Sequence, residues 1–190
     1  MRKTIVIMLL AVFIAACAKR NEDDKLTVVG LQGGDTVTVN VGEQFKATFM
    51  VNNARNVYAF TALVQYDTTY LRVVKDTLNL LAQEGNFLGA TGDLQANLVN
   101  GIPGKLSIFY SKAGEQPGSN GDGNLWSMSF LALKVGLTAI GFDKSRSFVF
   151  SPVVLENELE KLPSRFNGQL VKTIPVVAPS DTIIVFIKIE

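Results

Sequence analysis

Histidine is missing from all 190 residues of this chain, and cysteine occurs once, as Cys17. Those two absences exclude a great deal of chemistry. Without an imidazole there is no Ser-His-Asp or Cys-His nucleophile pair and no histidine-ligated zinc, and a single thiol cannot close an internal disulfide. Charge of one sign is missing too. The 18 lysines and arginines are nearly matched by 17 aspartates and glutamates and are scattered singly, so no concentrated basic face exists for a nucleic-acid backbone. Gly33-Gly34 opens onto an alternating run rather than a helix, which removes a nucleotide loop. The enzymatic route that remains is a carboxylate pair of the glycosidase kind, for which Glu43, Asp67, Glu115, Asp122 and the cluster Glu156, Glu158, Glu160 are available. Most of these sit in turn-forming or solvated stretches, and no pattern sets two of them across a cleft. The chain reads as non-catalytic and in need of no cofactor.

Long apolar runs are also lacking, with one exception at the start. Arg2 and Lys3 precede an apolar stretch from Ile5 to Ala16, which ends in Ile14-Ala15-Ala16-Cys17. That layout is a bacterial lipoprotein signal, in which small residues precede a cysteine that is lipidated and becomes the mature N-terminus. The stretch is shorter than the roughly 20 residues that span a bilayer core. Residues 1–16 are therefore read as a signal peptide, Cys17 as the lipidation site, and residues 17–25, rich in charge, as a solvated tether. Acyl chains at about 0.8 kcal/mol per buried methylene anchor a domain without a transmembrane helix. Ala18 and Lys19 stand where an aspartate would favour retention at the inner membrane, so the expected address is the cell envelope, at an outer membrane rather than an inner one.

From Leu26 the pattern changes to short alternating runs. Thr36-Val-Thr-Val-Asn-Val41 alternates strictly, and Phe45, Ala47, Phe49 and Val51 share one parity. Further strands are expected over residues 57–66, 71–76, 94–99, 105–112, 125–135, 138–143 and 148–153. Asn52-Asn53, Asn100-Gly-Ile-Pro-Gly104 and residues 114–124 carry the residues that supply turns. Only residues 78–84 and 155–162 suit a short helix. The class is all-β, an antiparallel sandwich of about nine strands.

The order of these pieces resembles the cohesin family, jelly-roll-type β-sandwich domains of cellulosome scaffoldins related to some carbohydrate-binding modules. The likeness is carried by Gly34-Asp35-Thr-Val-Thr-Val39, by Asn56-Val-Tyr-Ala-Phe-Thr-Ala-Leu-Val-Gln-Tyr66-Asp67 followed by Leu71-Arg-Val-Val74, by Gly104-Lys-Leu-Ser-Ile-Phe109, by Gly123-Asn-Leu-Trp-Ser-Met-Ser-Phe130, and by the closing Asn167-Gly-Gln-Leu-Val171. Thr68 replaces the proline that the pattern has after Asp67. The domain is expected over residues 26–173. Residues 174–190 then form a proline-flanked linker and a terminal run, Thr182-Ile-Ile-Val-Phe-Ile-Lys-Ile189, whose strong β composition calls for pairing with this domain or another chain.

Parity places Phe60, Ala62, Val64 and Tyr66 in the core, with Leu106, Ile108 and Tyr110, and with Trp126, Met128, Phe130 and Ala132. Leu63, Phe109, Leu131 and Leu133 then fall outward beside Thr61 and Gln65. The resemblance implies that these strands form one sheet whose outer face takes a dockerin partner, so the six residues are the expected partner-binding set. An apolar patch of that kind is either an interface or is covered, here by residues 144–190 folding back. A carbohydrate-binding module holding polysaccharide, with Tyr58 and Tyr70 as stacking platforms, is the alternative, and a structural envelope component whose terminal strand augments another sheet is the third. Trp126 shares the parity of Met128 and is expected in the core rather than on a sugar. Gly118-Ser-Asn-Gly-Asp-Gly-Asn124 has the look of a calcium loop but lacks its first ligand and its bidentate glutamate, and is read as a hairpin loop with no metal.

Overall fold

The computed structural model describes residues 26–155 and 158–176. Cys17, the signal and tether segments and the run from Thr182 to Ile189 lie outside the described residues. Alternation of apolar and polar side chains makes the strands: β1 (Thr27–Leu31), β2 (Thr36–Asn40), β3 (Gln44–Val57), β4 (Ala59–Tyr66), β5 (Leu71–Val74), β6 (Gln83–Glu84), β7 (Gly92–Leu98), β8 (Lys105–Lys112), β9 (Ser119–Ala132), β10 (Gly136–Phe142), β11 (Phe148–Leu155), β12 (Glu158–Leu162), β13 (Ser164–Phe166) and β14 (Gln169–Ile174). They form two sheets. The first has the order β13-β1-β3-β9-β5, with β6 also on β9; the second has β12-β11-β4-β10-β14-β2, with β8 on β4 and β7 on β8. One edge of β4 is thus paired with β8, and the other is shared between β10 and β11.

The sandwich is all-β, as the sequence indicates. It has more strands than the nine expected, and it is not purely antiparallel: β1 runs parallel to β13, and β2 parallel to β14. Neither expected helix forms. At residues 78–84 the Asp76 carboxylate accepts hydrogen bonds from the Leu78 and Leu80 N–H groups at 2.9 and 2.8 Å, and Asn79 takes a φ of 64°, so the chain turns and then enters β6. Of residues 155–162, Leu155 ends β11 and residues 158–162 form β12, pairing Leu162 with Val149 and Lys161 with Phe150.

The core fills the space between the sheets. Phe49, Val51, Trp126, Met128 and Phe130 from the first sheet meet Phe60, Val64, Leu106, Ile108, Tyr110 and Ile140 from the second, all of them buried. Phe49 stacks on Trp126 with centroids 5.1 Å apart, and Tyr66 meets Phe130 edge-on at 5.2 Å. The parity argument therefore holds for all three expected core sets, with Tyr66 half-buried at the rim.

Asn52-Asn53 does not end a strand. β3 continues through it, and residues 119–124, expected as a loop, are its partner in β9. Two register shifts make this possible, between Val51 and Ala54 and between Ala54 and Val57. At each shift an asparagine, Asn53 or Asn56, adopts a left-handed φ of 55° or 52°. The inward side chains consequently recur every third residue, at Val51, Ala54 and Val57, instead of every second.

Candidate protein-binding face

The outward face of the second sheet is built where β11, β4, β8 and β7 lie side by side. Outward parity on β4 belongs to Ala59, Thr61, Leu63 and Gln65, which sit opposite Ser111, Phe109, Ser107 and Lys105 of β8. On β7, Gln95 stands opposite Phe109 and Asn97 opposite Ser107. Across the other edge of β4, Phe148 sits opposite Thr61 and Phe150 opposite Ala59. The result is a row running Gln95, Phe109, Thr61, Phe148. Phe109 is 41% exposed, with Phe148 partly exposed in the same row.

The six expected binding residues do not all reach this face. Thr61, Gln65, Leu63 and Phe109 belong to it. Leu131 belongs to the other sheet, on the opposite side of the molecule, between Gln44 of β3 and Arg72 of β5. Leu133 lies beyond the end of β9, with its N–H bonded to the Tyr70 carbonyl at 2.8 Å. The single face of Leu63, Phe109, Leu131 and Leu133 is therefore corrected to two separate surfaces. Parity tells which residues of a strand point away from the core, but not which sheet the strand joins. Leu63 is itself only 6% exposed. Where pairing passes from β10 to β11, the loop of residues 143–147 bulges beside it: Leu63 N–H donates to the Ser147 hydroxyl at 3.2 Å, and its carbonyl accepts from Asp143 N–H at 2.9 Å.

That loop brings charge to the face. Gln65 Nε2 donates to Asp143 Oδ2 at 3.3 Å, and the Ser145 hydroxyl and N–H donate to Asp143 Oδ1 at 2.6 and 3.1 Å. The Ser145 hydroxyl, above all, holds the Asp143 carboxyl below its ordinary value, with help from nearby Lys105 and Arg146. On β12, Lys161 places its Nζ 4.6 Å from the centre of the Phe148 ring. Phe148, Phe150 and Lys161 were not among the expected residues. Their signal was present in Phe148 and Phe150 sharing a parity on either side of buried Val149.

Of residues 144–190, the alternative cover for this face, the described ones (144–155 and 158–176) do not fold back over it. They widen the sheets instead, as β11 and β12 beside β4, β14 beside β10, and β13 beside β1. Trp126 is fully buried, as expected of a core residue. Tyr70 is half-buried, with the Lys134 Nζ 5.6 Å from its ring centre. Tyr58 donates from its hydroxyl to the Gly114 carbonyl at 2.6 Å and lines an open groove of about 480 Å³ with Glu115, Gln116, Pro152, Val154 and Leu159. Among the described residues no group of three or more acidic or cysteine side chains could hold a metal ion. Several candidate carboxylates are engaged locally: Asp67 accepts from Thr69 N–H, Glu43 from Asn40, Asp122 from Asn53 N–H, and Glu160 from the Ser151 hydroxyl.

Comparison with known proteins agrees with this architecture. A family model described as the cohesin domain matches residues 34–151. The structure is similar to the seventh type I cohesin of ScaB from Pseudobacteroides cellulosolvens, with a TM-score of 0.61 and 14% identity over 82% of this chain and 96% of that one. It is similar to a non-cellulosomal cohesin from the archaeon Archaeoglobus fulgidus, with a TM-score of 0.57 and 12% identity over 78% and 91% of the two chains. A type I cohesin–dockerin complex from Clostridium thermocellum contains a chain matched with a TM-score of 0.59 and 11% identity, over 78% of this chain and 99% of that one. No curated protein sequence matches. With the family match spanning most of the sandwich and the two-sheet topology in agreement, this chain belongs to the cohesin domain family.

Proposed function

We propose that the chain is a lipid-anchored, non-catalytic module of the bacterial cell envelope that captures a dockerin-bearing protein through the outward face of β11, β4, β8 and β7. The observation that carries this reading is the exposed Phe109 on an outward sheet face, flanked by Thr61, Phe148 and Gln95. A continuous face of this kind suits a protein surface better than a small molecule. Support comes from the family match and from the similar structures that are complexes of a cohesin with a dockerin. Lipidation at Cys17, and residence at an outer membrane, rest on the signal sequence alone.

The test is direct. The chain is immobilised, secreted proteins of its source are passed over it, and a calcium chelator is then applied, since dockerins need calcium to fold. A captured protein that carries a dockerin and is released by the chelator supports the reading. Phe109→Asp should abolish capture, whereas Leu131→Asp on the other sheet should not; undiminished capture by folded Phe109→Asp protein rules this face out. Mass spectrometry of the envelope-extracted protein tests Cys17, which should carry acyl chains on a mature N-terminus.

A second reading has an observation of its own. The groove at Tyr58 combines a ring whose hydroxyl is fixed with the exposed polar groups of Glu115 and Gln116, an amphipathic arrangement suited to a pyranose ring. Binding of soluble oligosaccharides that is lost on Tyr58→Ala, with Phe109→Asp silent, would establish polysaccharide attachment in place of protein capture.

A further inference from the structure

We infer that the β11-β4-β8-β7 face selects a partner whose contact surface is acidic, so that its specificity is set by a cationic border along one side of an apolar centre. This rests on the reading of that face as the docking surface. The chain as a whole is almost neutral, with 18 basic and 17 acidic residues, so any charge on one face reflects placement rather than composition. Placement is uneven because the carboxylates are used to close turns. Asp67 and Asp76 bind backbone N–H groups of the turns that follow them, Asp122 binds the N–H of a bulge, and Glu43 binds Asn40. Glu160 is held by Ser151 on the parity opposite to Lys161. Cations carry no such duty at the face. Lys105 lies on outward parity opposite Gln65, Lys144 and Arg146 are exposed on the loop beside Leu63, and Lys161 sits over Phe148.

The acidic groups near them are few. Asp143 is occupied by Ser145 and Gln65 and lies within the field of both Lys105 and Arg146. Asp93 sits at the β7 margin, and Glu115 lies at the far end beside Tyr58. Lys105, Lys144, Arg146 and Lys161 thus border Thr61 and Phe148 on the loop and β12 side, with charged Asp143 among them, Asp67 beside Lys105, and Asp93 and Glu115 farther out. Like charges brought against such a border repel and opposite charges steer the encounter, so the border discriminates between partners that share an apolar centre.

The probes are purified dockerin modules in two classes, with net negative and net positive contact helices, titrated against the full chain at about 50 and about 500 mM salt. The acidic class is expected to bind about tenfold or more tightly than the basic class at low salt, and to lose about tenfold or more at high salt. Combining Lys105→Glu, Arg146→Glu and Lys161→Glu should reverse the preference, with thermal melting to confirm that the variant is folded. If the triple variant does not fold, Lys144→Glu with Arg146→Glu, confined to an exposed loop, should narrow the preference. Equal or tighter binding of the basic class by the unmodified chain overturns the inference and leaves the face as a docking surface. Binding of neither class overturns the docking reading, and this inference with it.

Discussion

The Asp122 carboxylate, on β9, accepts a hydrogen bond from the Asn53 N–H, on β3, at 2.8 Å, and this bond fixes a bulge between two of the longest strands in the molecule. Three positions on, the Asn120 side chain does the same for the Asn56 N–H at 2.9 Å. Each bulge inserts one extra residue in β3, and the ladder leaves its N–H without a strand partner. A short acceptor side chain opposite supplies one. The pair of bulges is what lets Val51, Ala54 and Val57 all reach the core.

Asp122→Ala should therefore cost about 1 kcal/mol, the net worth of such a bond at an exposed site, and lower the melting temperature by about 2–4 °C for a domain of this size. Asp122→Asn keeps an acceptor and should recover most of the loss. Added calcium should leave the melting temperature of every variant unchanged. A calcium-dependent rise in the unmodified chain would restore the metal reading of residues 118–124. Differential scanning calorimetry reads both effects.

Strand existence and core membership were legible because they depend on parity within a strand, as Phe60, Ala62 and Val64 illustrate. What parity cannot supply is the partner of each strand. Leu131 and Phe109 have the same outward sense in their own strands, yet β9 and β8 belong to different sheets, so the residues lie on opposite sides of the molecule. The bulges were illegible for another reason. Asn52-Asn53 carries ordinary turn chemistry, and only the glycines and short acceptors facing it in β9 convert the turn into a bulge within a continuing strand. Asp76 misled in the opposite direction: its Asx-type turn overrode the weak helical character of residues 78–84.

Two glycines with no unusual φ should respond very differently to the same substitution. A Cβ on Gly85 would sit 2.2 Å from the Asn124 carbonyl oxygen and 2.7 Å from that of Leu125, both of them backbone atoms that cannot step aside. Gly85→Ala should cost about 1–3 kcal/mol or more through overpacking. A Cβ on Gly141 meets nothing within 4 Å, so Gly141→Ala should stay within about 0.5 kcal/mol of the unmodified protein. Urea melts of the two variants give the comparison, and equal destabilisation would contradict the close approach at Gly85.

Trp126 combines the largest fully buried side chain with an indole N–H that has no hydrogen-bond partner. Trp126→Ala removes the stack on Phe49 and opens a cavity, for an expected loss of about 3–5 kcal/mol. Trp126→Phe keeps a ring in place and deletes the unsatisfied donor. The desolvation penalty of that donor, about 1–3 kcal/mol, offsets part of the lost packing, so the loss should be well under half that of the alanine variant. Denaturant unfolding measures both. A phenylalanine variant as unstable as the alanine one would mean that the indole nitrogen is satisfied in solution.

Asp143 is expected to set the acid limit of the proposed docking face. Its pKa is lowered in the folded chain, chiefly by the Ser145 hydroxyl. A carboxyl lowered on folding stabilises the fold above its unfolded pKa, and that contribution is lost as pH falls through the lower, folded value. The network of Gln65, Asp143 and Ser145 should accordingly persist through mildly acid pH and come apart only below the ordinary aspartate range. The absence of histidine removes the usual side chain that would titrate between about pH 5 and about pH 8, so partner capture at this face should be flat across that interval. NMR titration of the Asp143 carboxyl should show a pKa below that of a free aspartate. In Ser145→Ala it should move back up, and capture should begin to fall at correspondingly higher pH. A step in capture near neutral pH, with the partner's own titration accounted for, would locate the controlling group away from this network.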